Sequence, residues 1–240
     1  MWSYYGAKTN LVDLYPKPKH DLIIEPFAGS ARYALKYFDR DVLLVDKYPV
    51  VIDIWKWLQS CSEKDILSLP KRLPIGSSFN DFAFDCNAQR LFYSFISGCG
   101  DHSPRNKPTK RKTIDRPNHV SYNLKRVAAS LFKIKHWEIQ LGTYEDIKNR
   151  NATWFIDPPY QHGGYVYPMS SLKIDFASLR EWCMVRTGQV IVCENMKADW
   201  IPLVPIGVCN GSLKRSIEGI WTNEETHYHN LQQSLFSQVI

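Results

Sequence analysis

The chain has 240 residues, 44% of them hydrophobic and 13% aromatic, enough for one sizeable core and too apolar for a disordered segment. No apolar run approaches the ~20 residues of a membrane span, and Met1-Trp2-Ser3-Tyr4-Tyr5 lacks the regions of a signal peptide. The formal charge of +6 is unevenly placed. Pro104 to Arg126 holds eight Lys/Arg and one acid, Asp115, a local net of +7. A near-neutral body with one basic segment suits a polyanion, although a solvated basic loop would look the same.

In chain order, Leu22 to Glu25 reads as a buried strand, followed by a small-residue turn at Ala28-Gly29-Ser30 and a helix from Ala31 to Phe38. Val42 to Val45 is a second strand closed by Asp46, and Val50 to Leu58 a second helix. Residues 61–134 break the alternation. Asp81 to Ile96 reads as a helix, Asp101 to Asn118 as a basic arm, and Val120 to Ile134 as another helix. Strands return at Trp137 to Leu141, Thr153 to Ile156, Gln189 to Cys193, Val204 to Val208 and Glu218 to Thr222, with a helix from Ser178 to Val185. This pattern predicts a Rossmann-like α/β fold with a seven-stranded sheet. Residues 1–60 and 135–240 would form its body, and 61–134 a mostly helical insertion. The six cysteines form no Cys-x-x-Cys pair and read as buried, reduced thiols. Cys99 and His102 lack a second ligand pair, so no metal is expected.

In an open parallel sheet, ligands bind beyond the carboxyl ends of the strands. The Glu25-to-Ser30 turn, Asp46 and Asp157 all fall there. Small residues at Pro26-Phe27-Ala28-Gly29-Ser30 permit close backbone approach, and a carboxylate at Asp46 can accept from two ribose hydroxyls. The turn lacks the glycine spacing that cradles a pyrophosphate. An adenosyl cofactor therefore fits better than a nicotinamide dinucleotide.

Asp157-Pro158-Pro159-Tyr160 is the more specific motif. Two prolines fix φ near −65° and hold Asp157 extended. A carboxylate, a proline carbonyl and an aromatic ring then project from one rigid strand end. An exocyclic amine on a nucleobase is a poor nucleophile, because its lone pair is delocalised. Hydrogen bonds to Asp157 and to the Pro158 carbonyl would favour a pyramidal nitrogen able to attack an electrophilic methyl group. Tyr160 could stack on a base flipped out of the helix.

These motifs, in this order, resemble the Dam-like class of DNA adenine-N6 methyltransferases. Tyr4-Tyr5-Gly6-Ala7-Lys8 is similar to the class's N-terminal cofactor motif, Glu25 to Ser30 to its glycine motif, Val45-Asp46 to its ribose-binding acid and Asp157 to Tyr160 to its catalytic motif. Val192 to Asn195 and Glu218 to Asn223 resemble its later motifs. The class often carries Gly-Asp-aromatic after the third strand, where this chain has Gly142-Thr143-Tyr144 followed by Glu145 and Asp146.

The resemblance implies S-adenosylmethionine as cofactor, held by Tyr5, Gly6, Ala7, Lys8, Pro26, Phe27, Ala28, Gly29, Ser30, Asp46, Lys47 and Asp157. It implies catalysis at Asp157, Pro158, Pro159 and Tyr160, with Lys8 near the cofactor or the Asp157 carboxylate. Tyr165 and Tyr167 would lie over the base or pack on the sheet. The implied partner is double-stranded DNA, contacted by Arg105, Lys107, Lys110, Arg111, Lys112 and Arg116, with Arg215 either a further phosphate contact or a surface charge. The expected protein is a site-specific adenine methyltransferase, monomeric and cytoplasmic in a bacterium or phage-infected cell, solitary or in a restriction-modification pair. Cytosine-N4 or RNA methylation, a nicotinamide-dependent oxidoreductase, and a non-catalytic DNA-binding protein with this fold stay open as alternatives.

Overall fold

The computed structural model describes residues 1–2, 4–8, 11–110, 112, 118–210 and 215–224, with the side chains of 209, 210 and 215 outside that set. Seven strands form one sheet: β1 (Leu22–Glu25), β2 (Asp41–Asp46), β3 (Glu138–Leu141), β4 (Ala152–Ile156), β5 (Gly188–Asn195), β6 (Val204–Asn210) and β7 (Arg215–Thr222). Their order is β3-β2-β1-β4-β5-β7-β6. The first five run parallel, with Ile23 opposite both Val42 and Thr153, and Trp154 opposite Val190. β7 is antiparallel to β5 and β6. This is the Rossmann-like seven-stranded α/β sheet that the alternating pattern calls for.

The central strands read as continuous apolar runs because both faces are covered. Ile23, Val42, Leu44 and Phe155 face one hydrophobic cluster, while Ile24, Leu43, Val45, Trp154 and Ile156 face the other. On the first face lies α2 (Pro49–Ser60), started by Pro49 at its first turn and burying Val51, Ile54, Trp55 and Leu58. On the second lies α6 (Phe176–Met184), capped by Asp175, which accepts from the Ala177 and Ser178 N–H groups. The strand order reverses between β1 and β4. That places a crevice beyond their carboxyl ends.

Residues 61–134 add no strand among the described residues. They contribute α3 (Glu63–Leu67), opened by a Ser62–Asp65 capping box, α4 (Asn87–Ile96) and α5 (His119–Ala128). α4 packs on α2, with Trp57 and Phe92 rings 5.2 Å apart, and α3 packs on α5. Their buried side chains belong to the same cluster as the first face of the sheet.

Four sequence expectations need correction. The helix expected from Asp81 starts only at Asn87, because Ser78 and Asp81 close a capping box around a 3-10 turn and the chain leaves it extended at Phe82. The helix expected over 120–134 ends at Ala128. There the Ser130 hydroxyl donates to the Arg126 carbonyl, and the chain continues as a 3-10 turn at Leu131–Ile134. The helix expected from Ala31 to Phe38 shortens to α1 (Arg32–Lys36), since Ala31 itself takes a left-handed conformation, φ 44°. Cys61, Cys183 and Cys193 are buried thiols as expected, but Cys86 and Cys99 are exposed. None of the helices, among the described residues, is long and apolar enough to cross a membrane.

Candidate active site

The crevice beyond β1 and β4 is a cavity of about 1400 Å³. Its wall includes Tyr5 to Lys8, the Pro26–Ser30 turn, Asp46, Lys47, Thr143 to Glu145 and Asp157 to Tyr160. All the expected cofactor and catalytic positions thus border one space, brought there by the ends of three strands and the N-terminal segment.

The glycine turn is shaped by its neighbours. Gly29 has φ +44°, and a Cβ there would stand 3.4 Å from the Tyr4 ring. Its carbonyl accepts from Trp55 Nε1 at 2.9 Å, which anchors the turn to α2. Asp46 stabilises the turn from the next strand. Its Oδ2 accepts the Gly29 N–H at 2.9 Å and its Oδ1 the Tyr48 N–H at 2.8 Å. Burial pushes Asp46 up to about 6, and those two N–H groups work against the rise. Glu25 is buried below the turn. Its Oε1 accepts the Ala34 N–H at 2.7 Å, and burial pushes it up to about 8.

At the other wall, Lys8 Nζ lies 3.1 Å from Asp157 Oδ1 and 3.7 Å from Glu218 Oε1. It also stands over the Tyr160 ring, 4.4 Å from the centroid, and donates to the Gly6 carbonyl at 3.2 Å. Glu218, buried on β7, accepts from the hydroxyls of Tyr160 at 2.6 Å and Tyr15 at 2.8 Å. Burial works against the Lys8 charge, but Asp157 and then Glu218 outweigh it and raise its pKa. Burial lifts Asp157 to about 6 although Lys8 pulls it down, and Glu218 adds to the rise. At neutral pH Asp157 is therefore an ionised acceptor held by a permanent cation. Tyr160 is anchored at its hydroxyl, and Lys8 stands over one face of its ring. Glu194, lifted to about 7 chiefly by burial, accepts from the Gln161 N–H and the Trp200 indole, each at 3.0 Å. This ties the segment after Tyr160 to β5.

The N-terminal motif closes the mouth. Gly6 has φ +74°, and a Cβ there would sit 2.3 Å from Tyr167 Oη. That hydroxyl donates to the Tyr5 carbonyl at 3.1 Å, so Tyr167 braces the motif, whereas Tyr165 is 63% exposed on the wall. Phe27 lines the cavity and packs on Tyr144, 5.7 Å between rings. At the departure after β3, Asp146 turns back to cap its own 3-10 turn through Thr143, leaving Glu145 as the acid on the wall.

The basic arm begins at this mouth. Cys99 and Gly100 line the cavity, the Tyr5 N–H donates to the Asp101 carbonyl at 3.1 Å, and the Tyr5 and His102 rings meet edge-on. Arg105 pairs with Asp101 at 3.2 Å and, with Lys107 and Lys110, is exposed. Lys112 departs from expectation. It is buried with Nζ turned onto His119 Nδ1 at the start of α5, so it is not a surface contact for phosphate. Arg111 and Arg116, and the side chain of Arg215, lie outside the described residues. The sequence places Glu194 and Glu218 in segments that resemble the later motifs of the class, but gives neither a role and gives Tyr15 no signal. A further signal for the two acids is a carboxylate inside an apolar strand.

No family model matches the chain, and no curated protein matches it. Among solved structures, yhhF from Escherichia coli, provisionally described as a methyltransferase, aligns over 89% of this chain and 80% of that one. Its TM-score is 0.37 at 9% identity, too distant a likeness to carry functional weight.

Proposed function

We propose that this protein is an S-adenosylmethionine-dependent methyltransferase of the Dam-like class, acting on the N6 amine of adenine in DNA. The observation that carries the reading is the rigid Asp157-Pro158-Pro159-Tyr160 turn. It opens at a strand-order reversal into the cavity that also holds Asp46 and the glycine turn.

The cavity fits the cofactor. Asp46 offers a half-buried carboxylate with lone pairs beyond its two backbone partners, for ribose hydroxyls, and Gly29 leaves no side chain in the way. The acids around the site, Asp46, Asp157 and Glu145, suit a positively charged ligand. When bound, S-adenosylmethionine supplies a methyl group on a cationic sulfur.

The chain's own groups do the rest. Ionised Asp157 accepts one amine hydrogen and the Pro158 carbonyl the other, which draws the nitrogen lone pair out of the ring. Lys8 keeps Asp157 ionised, and Glu218 holds Lys8 and Tyr160 in place. The anchored Tyr160 ring offers a stacking face to the base. Alignment and fixed dipoles supply the rate. Arg105, Lys107 and Lys110, beside the mouth, contact backbone phosphates.

The direct test is Asp157→Ala. Transfer of labelled methyl to DNA is expected to vanish while cofactor binding is largely kept. Near-normal transfer by this variant would overturn the mechanism.

A further inference from the structure

A second, smaller concavity lies where α1 meets the end of α5. Its volume is about 130 Å³, and Met1, Arg32, Leu35, Arg126, Ser130 and Lys133 line it. Three of these side chains are cations. Among the described residues, no carboxylate lies within ion-pair distance of any of the three. Arg32 is the least satisfied of the three. One terminal nitrogen donates to the Trp2 carbonyl at 2.5 Å, while its buried Nε has no acceptor. Burial, and after it the charge of Arg126, pulls Arg32 down to about 10. Lys133 Nζ rests 4.4 Å over the Phe38 ring, which leaves its charge unneutralised.

A partly buried guanidinium with like charges beside it and no counter-charge is unfavourable unless an anion completes the group. The volume equals that of about four waters, room for one tetrahedral oxyanion. Arginine and lysine around a small concavity are the donors such an anion takes. We propose that this pocket is a binding site for a phosphate group, either free or on a nucleic-acid backbone. The site lies outside the main cavity, and the inference does not rest on the proposed methyl transfer.

The test uses the full chain, with inorganic phosphate as the first probe and chloride as the control, read by titration calorimetry. Wild type is expected to bind phosphate at one site. Arg126→Gln and Lys133→Gln, at exposed and half-exposed positions, are each expected to weaken it about 10-fold or more. Arg126→Lys should retain most of the binding. A short DNA duplex is the second probe. Weaker duplex binding by Arg126→Gln, with a salt slope shallower by about 0.9, assigns the phosphate to a nucleic-acid backbone. Unchanged duplex binding alongside abolished phosphate binding assigns it to a free phosphate. Absence of phosphate binding by wild type, or equal binding by both Gln variants, overturns the proposal.

Discussion

Removing the ammonium of Lys8 tests how Asp157 is kept as an acceptor. In Lys8→Met, the half-buried Asp157 and the buried Glu218 lose the cation that stands 3.1 Å from one and 3.7 Å from the other. At an effective dielectric near 20, the closer contact is worth about 5 kcal/mol, or about 4 pKa units. Asp157 already titrates at about 6 with Lys8 in place. Even half of that loss, about 2 units, moves it past neutrality. The ionised form is the acceptor, so activity exists above this pKa and disappears below it. Wild type should therefore show an acid limb near pH 6. In Lys8→Met the limb should shift up by at least about 2 units, lowering the rate at pH 7 about 10-fold or more, with recovery toward pH 9. The assay is single-turnover transfer of tritiated methyl to DNA across this range, with thermal melting at each pH as the folding control. A loss of the same size at pH 7 and pH 9, in a folded variant, would mean that Lys8 does not act by keeping Asp157 ionised.

Glu25 gives a stability prediction. Its folded pKa of about 8 lies above its ordinary 4.5, so between these values the native state binds more protons than the unfolded chain. Its contribution is fully present below pH 4.5 and is lost as pH rises to 8. Glu25→Gln, which keeps an oxygen for the Ala34 N–H, should gain about 3 kcal/mol at pH 7, raising Tm by roughly 6–12 °C. A Tm gain that does not shrink toward pH 5 would contradict this. Gly6→Ala should weaken cofactor binding and cost about 2 kcal/mol or more, through its positive φ and the displaced Tyr167 hydroxyl. Gly76→Ala, also at positive φ (+82°) but with nothing within 4 Å, should lose only the conformational part and leave cofactor affinity unchanged. Replacing Lys107 and Lys110 by Gln should flatten the salt dependence of duplex binding by about 0.9 for each phosphate no longer neutralised, and an unchanged slope would place the phosphate-binding cations elsewhere.

The parts legible in the sequence are those fixed locally. Leu22 to Glu25, Val42 to Val45 and Thr153 to Ile156 read as buried strands because a sheet covered on both faces needs unbroken apolar runs. Asp157 stands out because Pro158 and Pro159 fix the backbone after it regardless of the rest of the fold. Helix starts are less legible. Ser78 and Asp81 form a capping box that closes a single 3-10 turn, and the same residues could have opened a long helix. The anchoring of the site is hidden altogether. Tyr15 and Glu218 lie 203 positions apart, and Tyr160 and Glu218 lie 58 apart. Only the placing of antiparallel β7 beside β5 brings that carboxylate under Lys8. Lys112 misleads for a related reason. Within a basic run it looks like a surface charge, and only the packing of α5 buries it against His119.

The identity of the modified nucleoside decides whether the protein methylates adenine in DNA. The protein would be incubated with tritiated S-adenosylmethionine and unmethylated duplex DNA, and the DNA digested and resolved by chromatography. Label is expected in N6-methyladenine, and none with Asp157→Ala. Label in a cytosine derivative, label transferred only to RNA, or no transfer by a folded protein that binds the cofactor would rule out adenine-N6 methylation of DNA.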